Sequence, residues 1–111
     1  MNRPIKKMSC CCQPCEGGLQ RLEKEEVRER LRKLSGWQAN GNNIVKVFQF
    51  KDYDETVSFV NSVVRIAREA DHHPEIKFGY KRCEVSYSTH ALGGLSENDF
   101  ICAAKIEQLL A

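Results

Sequence analysis

The sequence predicts an α+β domain: a four-stranded antiparallel sheet with three helices packed on one face, in the order helix-strand-strand-helix-strand-strand-helix. Three observations carry this. Apolar residues recur at helical spacing in three separate stretches. Two pairs of short runs with alternating or β-branched apolar residues lie between those stretches. Turn residues or a tight reversal fall inside each pair, so each pair reads as a hairpin, and elements in this order give an antiparallel sheet covered on one side. At 111 residues the chain is long enough for one core and too short to divide comfortably into two.

The first helix comes from residues 22–34, LEKEEVRERLRKL, where Val27, Leu31 and Leu34 share a face, Glu residues come early, Arg and Lys come late, and Gly36 supplies a stop. Trp37 opens an extended segment and reads as packing at the sheet edge more readily than as a stacking platform for a ligand. Gly41-Asn42-Asn43 supplies the turn, and the run IVKVFQFK completes the first hairpin. Asp52 or Asp54 caps the second helix. Val57, Val60, Val64 and Ala67 form one apolar stripe of that helix, and Phe59, Val63, Ile66 and Ala70 widen it, so this is the expected central core helix. Pro74 disfavours helical geometry at His73 and ends the helix there.

Ile76, Phe78 and Tyr80 then alternate with polar or small residues, as do Cys83, Val85 and Tyr87, which predicts two strands with one buried face. A turn centred between Lys81 and Arg82 would set Tyr80 opposite Cys83, Ile76 opposite Tyr87 and His73 opposite His90. Gly79 could add a bulge and shift this by a residue or two. After Gly93-Gly94, Ser96 with Asp99 makes a box-like cap, and Phe100, Ala103, Ile106 and Leu110 lie in one arc of the last helix.

The first fifteen or so residues lack periodicity, and Glu16-Gly17-Gly18 marks a boundary, dividing the chain into a Cys-rich tail over 1–18 and a domain over 19–111. With 41% apolar and 29% charged residues and a formal charge of +2, the chain has neither the run of about 20 apolar residues that a membrane helix needs nor a basic stripe for nucleic acid. Neither partner is expected. The N-terminal charges have no apolar segment behind them, unlike a secretory signal, so a cytoplasmic location is expected. Cys10, Cys11, Cys12 and Cys15 crowd together, whereas Cys83 and Cys102 read as small core residues, and reduced thiols are the expectation. Cys12-x-x-Cys15 has a redox pair and half a zinc site as alternatives. No second pair at ligand spacing completes a site, and a flexible, reduced tail is preferred.

The candidate site follows from the second hairpin. His72 and His73 leave the second helix where Thr89 and His90 leave the last strand, so the fold should gather three imidazoles. Imidazole gives or takes a proton near neutrality, and a set in different environments suits general acid and base work. Two other readings compete. The three histidines could hold zinc, although the i, i+4 spacing that aligns two ligands on a helix is missing. Alternatively His-His-Pro simply ends a helix at the surface, which would be the simpler account of the dipeptide without the third histidine.

These residues resemble the pterin-4a-carbinolamine dehydratase family. The resemblance rests on His72-His73-Pro74, an aromatic at Tyr80, Thr89-His90 and Gly94-Leu95-Ser96-Glu97-Asn98-Asp99. Gly36-Trp37, Phe48-Gln49-Phe50-Lys51 and Phe59-Val60-Asn61 extend it from about residue 16 to the C-terminus. The segment Cys12-Gln13-Pro14-Cys15-Glu16-Gly17-Gly18 also looks like the lead-in of many bacterial-type members. The resemblance implies a homodimer or homotetramer that dehydrates 4a-hydroxytetrahydropterin to quinonoid dihydropterin in tetrahydrobiopterin recycling, with no metal and no organic cofactor. It implies His72 and His90 as proton carriers, His73 orienting the pterin, and Asp71, Pro74, Ser88, Thr89 and Ala91 around the substrate. Asp99 and Glu69 are candidates behind them, although helix capping explains Asp99 equally well. Many relatives carry an acid four residues before the first histidine. Arg68 stands there in this chain with Glu69 beside it, which leaves the orientation of that imidazole open. Animal relatives also act as a coactivator of a homeodomain transcription factor, and other proteins of this fold serve as assembly or folding factors, so a non-catalytic interaction module is the alternative function.

Overall fold

The computed structural model describes residues 19–110. The cysteine-rich segment lies outside them, and so does the expectation attached to Cys10, Cys11, Cys12 and Cys15. Three helices cover one face of a four-stranded antiparallel sheet, as the sequence predicts. Among the described residues the elements are α1 (Lys24–Leu31), β1 (Gln38–Asn40), β2 (Asn43–Gln49), α2 (Tyr53–Ala70), β3 (Glu75–Phe78), β4 (Arg82–Tyr87) and α3 (Glu97–Leu109), with a 3-10 turn at His90–Leu92. The strand order is β1-β2-β4-β3.

Alternation along the strands sets the inner face. On β4, Cys83, Val85 and Tyr87 are fully buried while the residues between them are not. On β2, Ile44 and Phe48 point the same way. They meet Phe59, Val63 and Ile66 of α2 and Phe100, Cys102, Ala103 and Ile106 of α3 in one core, where burial of apolar surface is the main stabilising term. Of the two stripes read on α2, the one through Phe59, Val63 and Ile66 faces the core. In the other stripe Ala67 is buried, Val60 is half-buried against the core and Val57 is half-buried, while Val64 is exposed. Leu110, expected in the buried arc of α3, is exposed past the helix end.

The helix ends obey local chemistry. Asp52 caps α2 by accepting from Glu55 N at 2.8 Å. α2 finishes in a Schellman motif: Asp71 adopts the left-handed conformation at φ 54°, its N–H reaches Arg68 O, and His72 N–H reaches Ala67 O at 3.1 Å. Asp is one of the few non-glycine residues that tolerate this region. α1 is held to α3 by an ion pair between Arg30 and Glu97.

The second hairpin differs from the predicted register. Phe78 pairs with Cys83, Ile76 with Val85 and Glu75 with Ser86, and Gly79 N–H donates to Arg82 O, so the loop is Tyr80-Lys81. Two outside contacts hold it there: Phe50 N–H donates to Lys81 O at 2.8 Å, and Thr56 Oγ1 donates to Tyr80 O at 3.0 Å. Because the shift is two residues, no side chain changes face. Continued past Glu75, this register sets His73 beside Ser88 instead of His90.

Candidate active site

The centre of the site is a carboxylate. Asp99, at the third position of α3, is fully buried, and both of its oxygens are bonded. His72 Nε2 lies 2.6 Å from Oδ1. Thr89 Oγ1 and the Ser96 backbone N–H each donate to Oδ2 at 2.9 Å. Ser96 Oγ lies 2.7 Å from Thr89 Oγ1 and accepts from Asn98 N–H. The sequence offered capping or catalytic support as alternative roles for Asp99. The structure gives it the cap and the histidine at once, one through each oxygen.

Local folding delivers these partners. The Schellman turn at Asp71 redirects the chain so that His72 faces inward, stacked on Tyr87 with ring centroids 5.2 Å apart and planes 15° apart. Strand alternation continues past Tyr87 and turns Thr89 inward as well, where it is buried. Thr89 N–H bonds to Gly94 O at 2.8 Å and Gly93 N–H bonds to His90 O at 3.0 Å, closing a tight loop over His90–Gly93 with Gly93 at φ 65°. His90 therefore sits on a short, pinned turn.

The buried carboxylate sits in the first turn of α3 with a hydroxyl and a backbone N–H on one oxygen and an imidazole nitrogen on the other. A neutral imidazole donating to Oδ1 would carry its proton on Nε2 and keep its lone pair on Nδ1. The arrangement is a histidine with a fixed tautomer and a charged partner, suited to taking up a proton.

The other predicted residues divide by exposure. Asp71, His73, His90 and Ala91 are exposed, and Pro74 and Ser88 are half-buried. His72 and Thr89 share Asp99, and their chain neighbours His73 and His90 are exposed. The hydroxyl of Thr89 is committed to Asp99 and Ser96. Glu69 is exposed on the last turn of α2, and among the described residues no ion pair joins it to an imidazole. Among the described residues, no group of three or more His, Cys, Asp or Glu side chains is placed to hold a metal ion. No helix there is long and apolar enough to cross a membrane.

Sequence reasoning did not assign roles here to Tyr87 and Ser96. The signal was available: the alternation that buried Cys83 and Val85 also turns Tyr87 and Thr89 inward, toward the helix cap that Ser96 opens.

Comparison with known proteins agrees with this architecture. Residues 20–109 match the family model described as pterin 4 alpha carbinolamine dehydratase. A protein of Nitrosospira multiformis, provisionally named a pterin-4-alpha-carbinolamine dehydratase, is 54% identical over 98 residues, covering 88% of this chain and 87% of its own. One of the same provisional name from Bdellovibrio bacteriovorus is 50% identical, covering 81% and 78%. Among solved structures, the transcriptional coactivator/pterin dehydratase of Brucella melitensis superposes with a TM-score of 0.80 at 34% identity, over 83% of this chain and 100% of that one. A pterin dehydratase-like protein identified as a RuBisCO assembly factor in the α-carboxysome is more distant, with a TM-score of 0.55 at 26% identity over 66% of this chain and 84% of that one. The chain belongs to the pterin-4α-carbinolamine dehydratase family.

Proposed function

We propose that this protein dehydrates 4a-hydroxytetrahydropterin to quinonoid dihydropterin by proton transfer through histidine. The supporting observation is the buried Asp99 carboxylate bonded to His72 and Thr89, with His73 and His90 as their immediate neighbours. The reaction removes the hydroxyl from C4a while the adjacent ring nitrogen loses its proton, so it needs an acid at the leaving oxygen and a base at nitrogen. His72, held by Asp99, takes the nitrogen proton on Nδ1. His90, exposed on its turn, delivers a proton to the leaving hydroxyl. The products are water and the dihydropterin, and the two imidazoles return to their starting states by exchange with solvent. His73 orients the ring system, with Asp71, Pro74, Ser88, Thr89 and Ala91 around it. No metal or organic cofactor enters the scheme.

In this reading the protein works in the cytoplasm in tetrahydrobiopterin recycling, as a homodimer or homotetramer. Exposed Tyr53, Val64, Phe78 and Tyr80 supply apolar surface for association. The alternative is an interaction or assembly module, the role named for the RuBisCO assembly factor above. A module that only binds has no need of a buried histidine–carboxylate pair beside two exposed imidazoles. Turnover of the carbinolamine, followed by ultraviolet absorbance, tests the proposal: acceleration over the spontaneous reaction is expected, and its absence in folded protein would favour the assembly reading.

A further inference from the structure

α1, the residues that lead into it and the β1–β2 turn line a cleft of about 660 Å³ that the scheme above leaves unused. None of His72, His73, Thr89, His90 or Asp99 lines it. Leu22, Val27 and Leu31 supply its apolar surface. They are half-buried against the core, so part of each side chain stays open to the cleft. Gly41 and Asn42 of the turn line it as well.

The charges in this cleft are unbalanced. Arg21, Lys24 and Arg28 line it with Glu23, three positive side chains against one negative. Elsewhere on the same helix and just past its end, cations find carboxylates: Arg30 pairs with Glu97, and Arg32 with Glu29. Among the described residues, Arg21, Lys24 and Arg28 take part in no ion pair. The fold also positions Arg21. A Cβ added at Gly94 would lie 2.8 Å from Arg21 Nε and 3.1 Å from its Cδ, so the arginine stem rests on bare glycine backbone. The next residue is pinned beside it, because Leu22 N–H donates to Leu95 O at 2.8 Å. Like charges gathered without partners repel one another, and an anion among them relieves that repulsion. The chain's own N-terminal segment does not have that charge: residues 1–18 hold Arg3, Lys6 and Lys7 against Glu16.

We propose that this cleft binds a phosphate monoester with an apolar or aromatic body, at a site separate from the Asp99 network. The inference stands whether or not the protein is a dehydratase. A phosphate monoester carries about −1.5 to −2 charges at neutral pH, which matches the excess of positive over negative side chains here. Arginine presents a planar fork of donors suited to phosphate oxygens, and lysine adds a point charge. The phosphate is therefore held by Arg21, Lys24 and Arg28, while the organic body covers Leu22, Val27 and Leu31. The volume falls within the roughly 300–1,000 Å³ of small-molecule sites, and an apolar lining with a few charged groups is the usual make-up of such a site. A carboxylate with the same body brings a single charge and leaves the cleft net positive.

Calorimetric titration of the full chain with 1-naphthyl phosphate at pH 8 and low salt tests this. Saturable binding is expected. 1-Naphthol keeps the body without the charge and inorganic phosphate keeps the charge without the body, and each should bind at least about tenfold more weakly. 1-Naphthoate should fall between them and the phosphate monoester. Arg21→Gln and Arg28→Gln should each weaken 1-naphthyl phosphate roughly fivefold, the upper range for an exposed ion pair. Lys33→Gln removes the same charge from outside the cleft and should change the affinity by less than about twofold. All three side chains are exposed, so the variants are expected to fold, and circular dichroism melts verify it. Saturating 7,8-dihydropterin should leave the affinity for 1-naphthyl phosphate unchanged. Absence of binding, equal weakening by Lys33→Gln, affinity unaltered by both arginine substitutions, or displacement by the dihydropterin would each overturn the inference.

Discussion

α3 carries two carboxylates that tie it to the sheet, Asp99 in its first turn and Glu107 two turns later, and the contrast between them is instructive. Glu107 Oε2 accepts from Trp37 Nε1 at 2.8 Å and from Lys46 Nζ at 2.7 Å. Lys46 also donates to Ser35 O and lies 4.9 Å from the Phe48 ring centroid. This cluster is partly wet, with the Lys46 and Glu107 side chains 18% and 27% exposed. At the other end Asp99 is fully buried and the His72 side chain is 11% exposed. A lysine bonded to a carboxylate stays charged across the working pH range, so Lys46–Glu107 serves as a staple. A histidine can gain or lose its proton there, so His72–Asp99 can take part in chemistry. The fold uses the same kind of carboxylate in both places, and the partner decides whether the pair can only hold or could also exchange a proton.

Changing the partners should separate the two roles. The largest effect is expected from Asp99→Asn. An amide facing Nε2 favours the wrong tautomer of His72, and kcat should fall by roughly 10³-fold. Nitrogen-15 NMR of the imidazoles checks the cause: the proton should move from Nε2 to Nδ1 in the variant. Thr89→Val removes one donor to the buried carboxylate and should lower stability by about 2 kcal/mol in urea unfolding, with a smaller loss of kcat, of order tenfold. Lys46→Met keeps most of the side chain's bulk and breaks only the staple. It should cost about 1 kcal/mol, given the partial exposure of the pair, and leave kcat unchanged. If Lys46→Met impaired turnover as much as Asp99→Asn, the division between holding and moving would be wrong.

The smallest effect concerns the core. Burial, aided by the neighbouring Glu84 charge, pushes the Cys83 thiol from 9.0 up to about 11. The folded state then keeps this proton at pH values where the unfolded chain has lost it. The unfolded state binds fewer protons, so stability falls as pH rises through that window. Urea unfolding of wild type and Cys83→Ala across pH 9 to 11 should show the wild type losing stability faster. A thiol reagent at pH 8 should reach Cys83 and Cys102 only on unfolding.

The fold was legible because its signals are local. Alternation marked β4, the Ser96–Asp99 spacing marked the start of α3, and Pro74 marked the exit from α2. The turn of the second hairpin was placed one residue late, which shifts the pairing by two, because its position is set by Phe50 and Thr56 from other elements and not by the turn residues themselves. The even shift preserved the faces, so the error left His72 near Thr89. The inward turn of His72 was not legible, since it depends on a left-handed Asp71 that a residue so often found in ordinary turns does not announce. The same turn parts His72 from His73: one ring enters the Asp99 network and the next faces solvent.

Steady-state dehydration of 4a-hydroxytetrahydropterin by the wild type and by His72→Gln bears most directly on the central claim that the imidazole held by Asp99 carries the proton. The wild type should accelerate loss of the carbinolamine well above the spontaneous rate, and the variant, folded by circular dichroism, should lose roughly 10²- to 10⁴-fold in kcat. Full turnover by His72→Gln would contradict the claim.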